Sequence, residues 1–303
     1  MVFAACTSSV APSATTATDW RRIGDIPTAR SEVATAVLRD AIFVVGGFGG
    51  GRIVEAYATD RTAGWAGPKR EYPLEVDHAM AAATLGDTGS LFVLGGNVQG
   101  QPTARVFRFD GDQWTERAAM PLPRSQAAAV VAGGRIYVVG GITSGSRLLP
   151  ETFEYDPAAD RWRTLAAIPT PRDHLAAAVL DGRVCAIGGR RLSLDANLAA
   201  FECYDVPSDR WDRLPDAPTA RGGIGAATVG RRLIVIGGEQ PSGTFKLVEI
   251  YDAASNTWSR GPDLPTPRHG LGVVALGSTV YALTGGPTPG GSQVAVCEAL
   301  TVP

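Results

Sequence analysis

One short pattern recurs six times along this chain and limits the fold more than any other feature of the sequence. A run of strand-forming residues ends in two glycines, as in residues 135–141, which read R-I-Y-V-V-G-G. Successive copies lie 45 to 49 residues apart, and their glycine pairs begin at Gly46, Gly95, Gly140, Gly188, Gly237 and Gly285. Self-similarity at a period near 50 residues is typical of solenoids and propellers. The chain is therefore predicted to form six structural repeats.

Each repeat contains four strand-like segments separated by turn residues. In the third repeat they are 126–131, 135–140, 152–156 and 161–165. The first segment is rich in small residues, which suits strands crowded around a central axis, whereas the fourth carries a tryptophan that can fill the wider gap between sheets. The tryptophans are Trp20, Trp65, Trp114, Trp162, Trp211 and Trp258.

The two ends of the repeat array complement each other. Trp20 starts the connector W-R-R-I-G-D-I-P-T-A-R with no strands of its own repeat before it, whereas the last repeat has three strands and no tryptophan. The N-terminal strand is therefore predicted to complete the last sheet, which protects the strand edges where the array closes.

The glycine pairs, the E-x-Y-D strands at residues 202–205 and 249–252, and the spaced tryptophans resemble kelch repeats from residue 19 to about residue 301. The resemblance implies an all-β, six-bladed β-propeller over residues 19–303, preceded by a flexible tail over residues 1–18. Kelch propellers carry several functions on one scaffold, so the fold does not name the activity. The architecture is similar to that of the bacterial sialate mutarotases, which are standalone six-bladed kelch proteins.

The net charge of −2 and the pI near 6.0 give no field that would hold a nucleic-acid backbone, so no nucleic-acid partner is predicted. Apolar runs are strand-sized and far shorter than a membrane-spanning helix requires.

Residues 3–6 (F-A-A-C) resemble a bacterial lipobox, and residues 8–18 have the composition of a tether. A periplasmic location, or a lipid anchor at Cys6, is therefore one expectation. Only five residues precede Cys6, too few for an export signal, so a plain tail and a cytoplasmic location are the alternative.

The other cysteines have no metal-ligand spacing. Cys185 and Cys203 fall on successive strands of one repeat, which permits a disulfide in an oxidising compartment. Two buried thiols are the expectation.

Five arginines open the first strands of five repeats, 16 or 17 residues before a glycine pair, and His78 takes the sixth place at 17 residues. Six-fold symmetry predicts a ring of these side chains at one mouth of the central channel. Guanidinium groups ~8 Å apart repel each other by about 2 kcal/mol at an effective dielectric constant of 20, so anions are expected nearby. The arginines are Arg30, Arg124, Arg172, Arg221 and Arg268.

Two sources can supply these anions. Acids of the protein, such as Glu32, Asp77, Asp173 or the glutamates of the third strands, can pair with the arginines and make the ring part of the scaffold. Alternatively, free guanidinium groups grip an acidic ligand, as the resemblance to kelch adaptors for acidic peptides implies.

The loops after the glycine pairs differ most between repeats and are expected to set specificity. Their polar candidates for ligand contact are Asn97, Gln99, Arg190, Arg191, Glu239 and Gln240.

Three histidines, the only ones in the chain, lie at or beside the arginine positions: His78, His174 and His269. They belong to alternate repeats, so convergence on the axis is conceivable. However, His174 lies two residues after Arg172, whereas His269 lies one residue after Arg268. This offset favours hydrogen-bonding histidines that contact the ligand, and we predict neither a metal nor a cofactor.

The sequence contains no G-x-S-x-G elbow, phosphate-binding loop or H-E-x-x-H motif. Two functional hypotheses remain. In the first, the propeller binds an acidic small molecule or an acidic peptide segment without catalysis. In the second, it is a mutarotase-like or epimerase-like enzyme for an acidic sugar, with Glu239, Glu32, Asp173 or His78 as the general acid or base.

Overall fold

A computed structural model describes residues 19–59, 64–66, 69–84 and 89–303. The predicted tail and Cys6 lie outside these residues. Six four-stranded antiparallel sheets, the blades, follow one another along the chain. The first strand of each blade packs against the first strands of both neighbouring blades, so the blades form a closed ring. The described residues contain no helix that is long and apolar enough to cross a membrane.

Each blade runs from an innermost strand at the axis to an outermost strand at the rim. In that order the strands are Ala34–Leu38, Ala41–Val45, Val54–Ala58 and Gly64–Ala66 in blade 1; Met80–Ala83, Leu91–Leu94, Val106–Phe109 and Trp114–Arg117 in blade 2; Ala128–Ala132, Arg135–Val139, Thr152–Asp156 and Arg161–Leu165 in blade 3; Ala176–Leu180, Arg183–Ile187, Phe201–Asp205 and Arg210–Arg213 in blade 4; Gly222–Val229, Arg232–Gln240, Val248–Asp252 and Thr257–Arg260 in blade 5; and Gly272–Leu276, Thr279–Leu283, Cys297–Thr301 and Arg21–Arg22 in blade 6. Short strands in the loops are Asn97–Val98, Gln101–Pro102, Ile142–Thr143, Arg147–Leu148 and Gly243–Thr244, and the 3-10 turns are Ser144–Ser146 and Leu194–Ala196.

The N-terminal strand closes the ring, as the sequence predicts. Arg21 pairs with Ala299 and Arg22 with Glu298, so the outermost strand of blade 6 comes from the other end of the chain. This pairing covers the edge of the C-terminal strand and joins the two ends of the repeat array.

The glycine pairs link neighbouring blades. Gly141 has φ +86° and donates its backbone N–H to the carbonyl of Arg172 in blade 4 at 2.8 Å. A Cβ atom at Gly141 would lie 2.5 Å from the carbonyl oxygen of Ser125, so only glycine fits there. In blade 6 the equivalent pair is Thr284–Gly285, one residue earlier than the sequence pattern places it, because Gly285 donates to the Arg30 carbonyl.

The outer tryptophans also join neighbouring blades. Each indole N–H donates to a backbone carbonyl of the preceding blade's connector, as Trp162 does to Ala118 at 2.8 Å and Trp211 to Ala166 at 3.0 Å. Trp20 makes the equivalent bond to Pro262 across the seam at 3.0 Å. These bonds satisfy the indole N–H groups while the rings pack between the sheets.

Cys185 and Cys203 form a disulfide between the second and third strands of blade 4, where the two residues are direct partners. The expectation of two separate thiols is therefore corrected, because the antiparallel register brings their Cα atoms to 4.0 Å. Cys297 is a buried free thiol in blade 6.

Candidate functional site

The five arginines of the predicted ring are buried within the blades. Each has at most 1% of its surface exposed. Four of them pair with the glutamate of the third strand of the same blade: Arg30 with Glu55, Arg172 with Glu202 at 2.5 Å, Arg221 with Glu249 at 2.9 Å and Arg268 with Glu298 at 2.7 Å. The ring of guanidinium groups at the mouth is thus corrected in favour of the scaffold alternative. These guanidinium groups connect strands within each blade and do not face the channel.

A threonine completes each of these ion pairs. Thr170, two residues before Arg172, donates its hydroxyl to the second carboxylate oxygen of Glu202 at 2.7 Å. In blade 3 the threonine is replaced by Leu122 and the glutamate by Phe153. There Arg124 lies over the Phe153 ring, 4.4 Å from its centroid, and donates to the carbonyls of Gly140 and Glu151. This joint replacement is a sequence signal that the arginine belongs to the blade interior.

His78 does not occupy the arginine position of blade 2. The second glycine of each pair donates to the carbonyl at that position in the next blade, and in blade 2 the acceptor is Val76, bonded by Gly47 at 2.9 Å. His78 lies two residues later, in the same register as His174 after Arg172. His78 and His174 therefore occupy equivalent positions, and the prediction that His78 takes the sixth arginine position is wrong.

Six residues at this later position form a ring on the propeller axis, which we call the axial ring. Their backbones all have left-handed conformations, with φ between 49° and 66°. Each backbone N–H donates to the carbonyl of the preceding blade at 2.7 to 3.3 Å, so six hydrogen bonds close a circle. This circle turns the six side-chain positions toward the axis. The axial ring consists of Glu32, His78, Gln126, His174, Gly223 and Gly270.

The axial ring lines a cavity of about 100 Å³. Gly223 and Gly270 have no side chains, so part of the axial ring is open to side chains from neighbouring positions. A Cβ atom at Gly270 would lie 2.2 Å from Oε1 of Glu32, and one at Gly223 would lie 3.2 Å from the His269 Cβ atom. The two glycines therefore admit the side chains of Glu32 and His269 to the axis.

Two aspartates orient the ring histidines. Asp77 lies 2.6 Å from Nδ1 of His78, and Asp173 lies 3.0 Å from Nδ1 of His174. A carboxylate only accepts hydrogen bonds, so both Nδ1 atoms carry the proton and donate it. The Nε2 atoms are left for the cavity, and the two imidazole rings lie 5.3 Å apart in a T-shaped arrangement.

The Glu32 carboxylate lies among the three histidines and Arg190. Its Oε2 is 3.4 Å from Nε2 of His78, and its Oε1 is 3.6 Å from Nε2 of His269. Burial acts to raise the pKa of the Glu32 carboxyl, but the positive charge of His78, His174, His269 and Arg190 outweighs burial and lowers this pKa.

The two ring histidines differ in their pKa values. Burial acts to lower the pKa of His78, but Glu32 and Asp77 outweigh it and the pKa is raised. Burial lowers the pKa of His174 despite its bond to Asp173. The cavity thus combines one imidazole that favours a proton with one that favours the neutral form.

Arg190, Glu239 and His269 form a second cluster beside the cavity. Arg190 is 2.7 Å from Oε1 of Glu239 and 3.6 Å from Asp173, and Glu239 Oε2 is 3.6 Å from Nε2 of His269. Asn97 lies on the other side, where its amide donates to Asp77 at 2.9 Å. Of the predicted ligand contacts, the structure thus brings together the three histidines, Arg190, Glu239 and Asn97.

Two apolar side chains are exposed beside this polar centre. Phe48, 36% exposed, packs edge-on against His78 with 5.1 Å between the ring centroids. It borders a depression of about 720 Å³ between blades 1 and 2, which also includes Asp77 and Asn97. Leu192 is 53% exposed in the loop after Arg190, and its backbone N–H donates to Asp173. Sequence reasoning missed Phe48 and Gln126, since a phenylalanine in a glycine-rich loop and a lone glutamine carry no motif.

Comparison with known proteins agrees with this architecture. The model of the KLHDC2/KLHL20/DRC7 Kelch-repeats domain matches residues 62–216, and that of the Kelch motif matches residues 220–265. The solved structure of YjhT is similar in fold, with a TM-score of 0.80 and 17% identity over 92% of this chain and 97% of that one.

Curated relatives match parts of the chain. The Kelch-like protein terF of Aspergillus terreus is 29% identical over 150 residues, which cover 46% of this chain and 32% of that protein. The Kelch-like protein 35 of Mus musculus is 27% identical over 145 residues, covering 46% of this chain and 23% of that protein. The chain thus spans a third or less of the length of these relatives. Together with the six blades, the match to half of the sequence shows that the chain belongs to the kelch-repeat family.

Proposed function

We propose that this propeller binds a small hydroxylated ligand, of the size and type of a monosaccharide, at the axial ring. The observation that carries this proposal is the convergence of Glu32, His78, Gln126 and His174 around one cavity. Few and well-placed polar groups in a concave site are typical of small-molecule binding. Carboxylate, amide and imidazole groups together match the donors and acceptors of sugar hydroxyls.

The size of the site supports a ligand that enters only in part. A cavity of about 100 Å³ is smaller than the roughly 300–1,000 Å³ of typical ligand pockets, so it admits only part of a ligand. The adjoining depression of about 720 Å³ has room for the rest of a sugar ring. Phe48, at its border, offers an apolar surface for the C–H face of such a ring.

The carboxylates around the cavity disfavour the acidic ligand that the sequence predicts. Arg190 is the arginine that lies beside the cavity cluster of acids and histidines, whereas the five arginines of the predicted ring are buried in the blades and are not available to an acidic small molecule or an acidic peptide segment. Arg190 already pairs with Glu239, and the carboxylates of Glu32, Asp77 and Asp173 lie close by. In the absence of a bound cation, we therefore expect neutral sugars to bind more tightly than acidic ones.

Saturation-transfer NMR against a panel of neutral and acidic monosaccharides, followed by calorimetry of the hits, tests the proposal. We expect Phe48→Ala and Gln126→Ala each to weaken binding about tenfold, the loss of one good contact. Leu192→Ala is the matched control, because it removes an exposed apolar side chain in the loop after Arg190. Unchanged affinity in both Phe48→Ala and Gln126→Ala would exclude this site.

A second candidate function is an enzyme that interconverts anomers of an acidic sugar, as the resemblance to sialate mutarotases implies. The adjacent pair Arg190 and Glu239, 2.7 Å apart, favours it, because one group can hold a carboxylate while the other moves a proton. Exchange between anomers, measured by NMR, tests this function. We expect Glu239→Gln to slow exchange at least a hundredfold while the sugar still binds; exchange at the wild-type rate would rule out this role.

We also propose an extracytoplasmic location, in the periplasm or on a lipid anchor. The Cys185–Cys203 disulfide supports it, because disulfides persist mainly in oxidising compartments. A fusion of the N-terminal residues to a reporter that is active only after export tests this location, and an inactive reporter would contradict it.

A further inference from the structure

We infer that Glu32, His78 and His174 form a binding site for one divalent first-row transition-metal ion on the propeller axis. This inference goes beyond the proposed function, because a cation can occupy the site with or without a sugar. One carboxylate oxygen and two imidazole nitrogens from the three residues all lie within 4.8 Å of one another.

The direction of the hydrogen bonds is the first argument. Nδ1 of each ring histidine is bound to an aspartate, Asp77 or Asp173, so Nε2 of each imidazole faces the cavity and presents a lone pair there once its proton is lost. The Glu32 carboxylate, which also only accepts, lies 3.4 Å from Nε2 of His78. When Nε2 of both imidazoles is deprotonated, three acceptors face one another around a small volume, and a cation that replaces the proton satisfies all three.

His269 repeats this arrangement beside the triad. Its Nδ1 lies 3.1 Å from the carbonyl of Gly286, so Nδ1 donates, and its Nε2 lies 3.6 Å from both Glu32 and Glu239. Nε2 of His269 thus faces two carboxylates at the edge of the site.

The aspartates are the second argument. Histidines that bind metals nearly always donate their other ring N–H to a carboxylate or a carbonyl, which fixes the ring and raises the basicity of the ligating nitrogen. Asp77 and Asp173 directly precede His78 and His174 and have this relation to them. The blade geometry produces it, because both pairs occupy equivalent positions in the propeller.

The ligand set defines the class of metal. Two imidazoles and one carboxylate suit zinc, iron, cobalt, nickel or copper, whereas calcium and magnesium prefer oxygen ligands. Ligand atoms about 2.1 Å from a tetrahedral ion lie about 3.4 Å apart, a spacing that His78 and Glu32 already have. Three protein ligands leave coordination positions open toward the cavity, where water or a ligand hydroxyl or carboxylate can bind.

The test uses the untagged, chelator-treated protein, since a polyhistidine tag would bind the same metals. Titration with Co²⁺ is followed by visible absorption, and titration with Zn²⁺ by calorimetry. We expect one ion per chain, and at least a hundredfold weaker binding for Glu32→Gln and for His174→Gln. Leu192→Ala, which removes an exposed apolar side chain close to the site but no possible metal ligand, is the matched control and keeps the affinity.

A measurement on the wild type covers the case in which a variant fails to fold. X-ray absorption of the Zn²⁺ complex is expected to show two imidazole ligands. Absence of binding at one ion per chain, or binding that persists in both folded variants, would overturn the inference and leave protonated histidines as the partners of Glu32. Sugar binding measured separately in the chelator-treated protein shows whether the proposed function fails or holds independently.

Discussion

Nε2 of His78 lies 3.4 Å from Oε2 of Glu32, although the two residues belong to different blades and nearly a whole repeat separates them in the chain. The contact exists because both residues turn toward the axis at equivalent points of neighbouring blades, where the backbone N–H of His78 donates to the carbonyl of Glu32. A backbone bond and a side-chain contact thus join the same two residues. The position of Glu32 therefore depends on ring closure and on the space that surrounds its carboxylate.

Replacing Gly270 by alanine should disrupt the axial site. The new Cβ atom would lie 2.2 Å from Oε1 of Glu32 and force the carboxylate away from the histidines. We expect at least a tenfold loss of metal or sugar affinity, together with about 1–2 kcal/mol of stability, because Gly270 has φ +54°. Gly277→Ala is the control, since Gly277 has φ +59° but a Cβ atom added there would have no neighbour within 4 Å. Equal affinity in the two variants would show that Glu32 can move without effect.

Replacing Glu249 by glutamine should destabilise the protein without altering the axial site. The change leaves Arg221, which is 1% exposed, without its carboxylate, and breaking a buried ion pair in this way costs about 3–5 kcal/mol. Unfolding in urea measures the loss. Asp181→Asn removes the partner of Arg231 in an exposed pair and should change stability by less than about 1 kcal/mol. If Glu249→Gln is as stable as the wild type but no longer binds the ligand, Arg221 would have a role in binding rather than in the stability of the blade.

Cys297 should resist thiol reagents in the folded protein. Burial raises the pKa of its thiol to about 11, so almost none of it is thiolate at pH 8. The measurement is the rate of labelling at pH 8 in the Cys6→Ser variant, with and without guanidinium chloride. We expect labelling only after unfolding, and rapid labelling of the native protein would contradict the buried environment.

The disulfide of blade 4 should contribute measurably to stability. Cys185 and Cys203 are 18 residues apart, and closing a loop of this size stabilises a protein by about 3 kcal/mol in the chain-entropy model. Urea unfolding with and without reductant measures this contribution, while the double variant Cys185→Ala/Cys203→Ala should not respond to reductant. Denatured, unreduced Cys6→Ser protein should show one free thiol among its three remaining cysteines, and three free thiols would contradict the bond.

Much of the scaffold could be read from local patterns. The glycine pairs and tryptophans recur because each blade needs the same hydrogen bonds to its neighbours, as Gly141 and Trp162 make them. The role of the arginines was also present in the sequence, since the threonine and glutamate are both absent in blade 3, where Arg124 rests on Phe153. The sequence left open whether the arginines pair with acids of the protein or hold a ligand, and the observed pairing with third-strand glutamates agrees with the first alternative.

The position of the histidines could not be obtained in this way. Counting residues back from the glycine pair put His78 in line with the arginines, but the interblade hydrogen bond of Gly47 shows that Val76 holds that place. A shift of two residues separates a side chain inside a blade from one on the axis. The sequence contains insertions in this repeat, so spacing alone could not decide between them.

The sequence by itself determined the number of blades, their order and the closure by the N-terminal strand, because these follow from a repeated pattern of local strand and turn preferences. Only the tertiary structure decided which side chains meet on the axis. Glu32, His78 and His174 come from three repeats, and nothing in the chain links them until six interblade hydrogen bonds close the circle. Their proximity is a product of that closure, which brings one position from every blade to the same point.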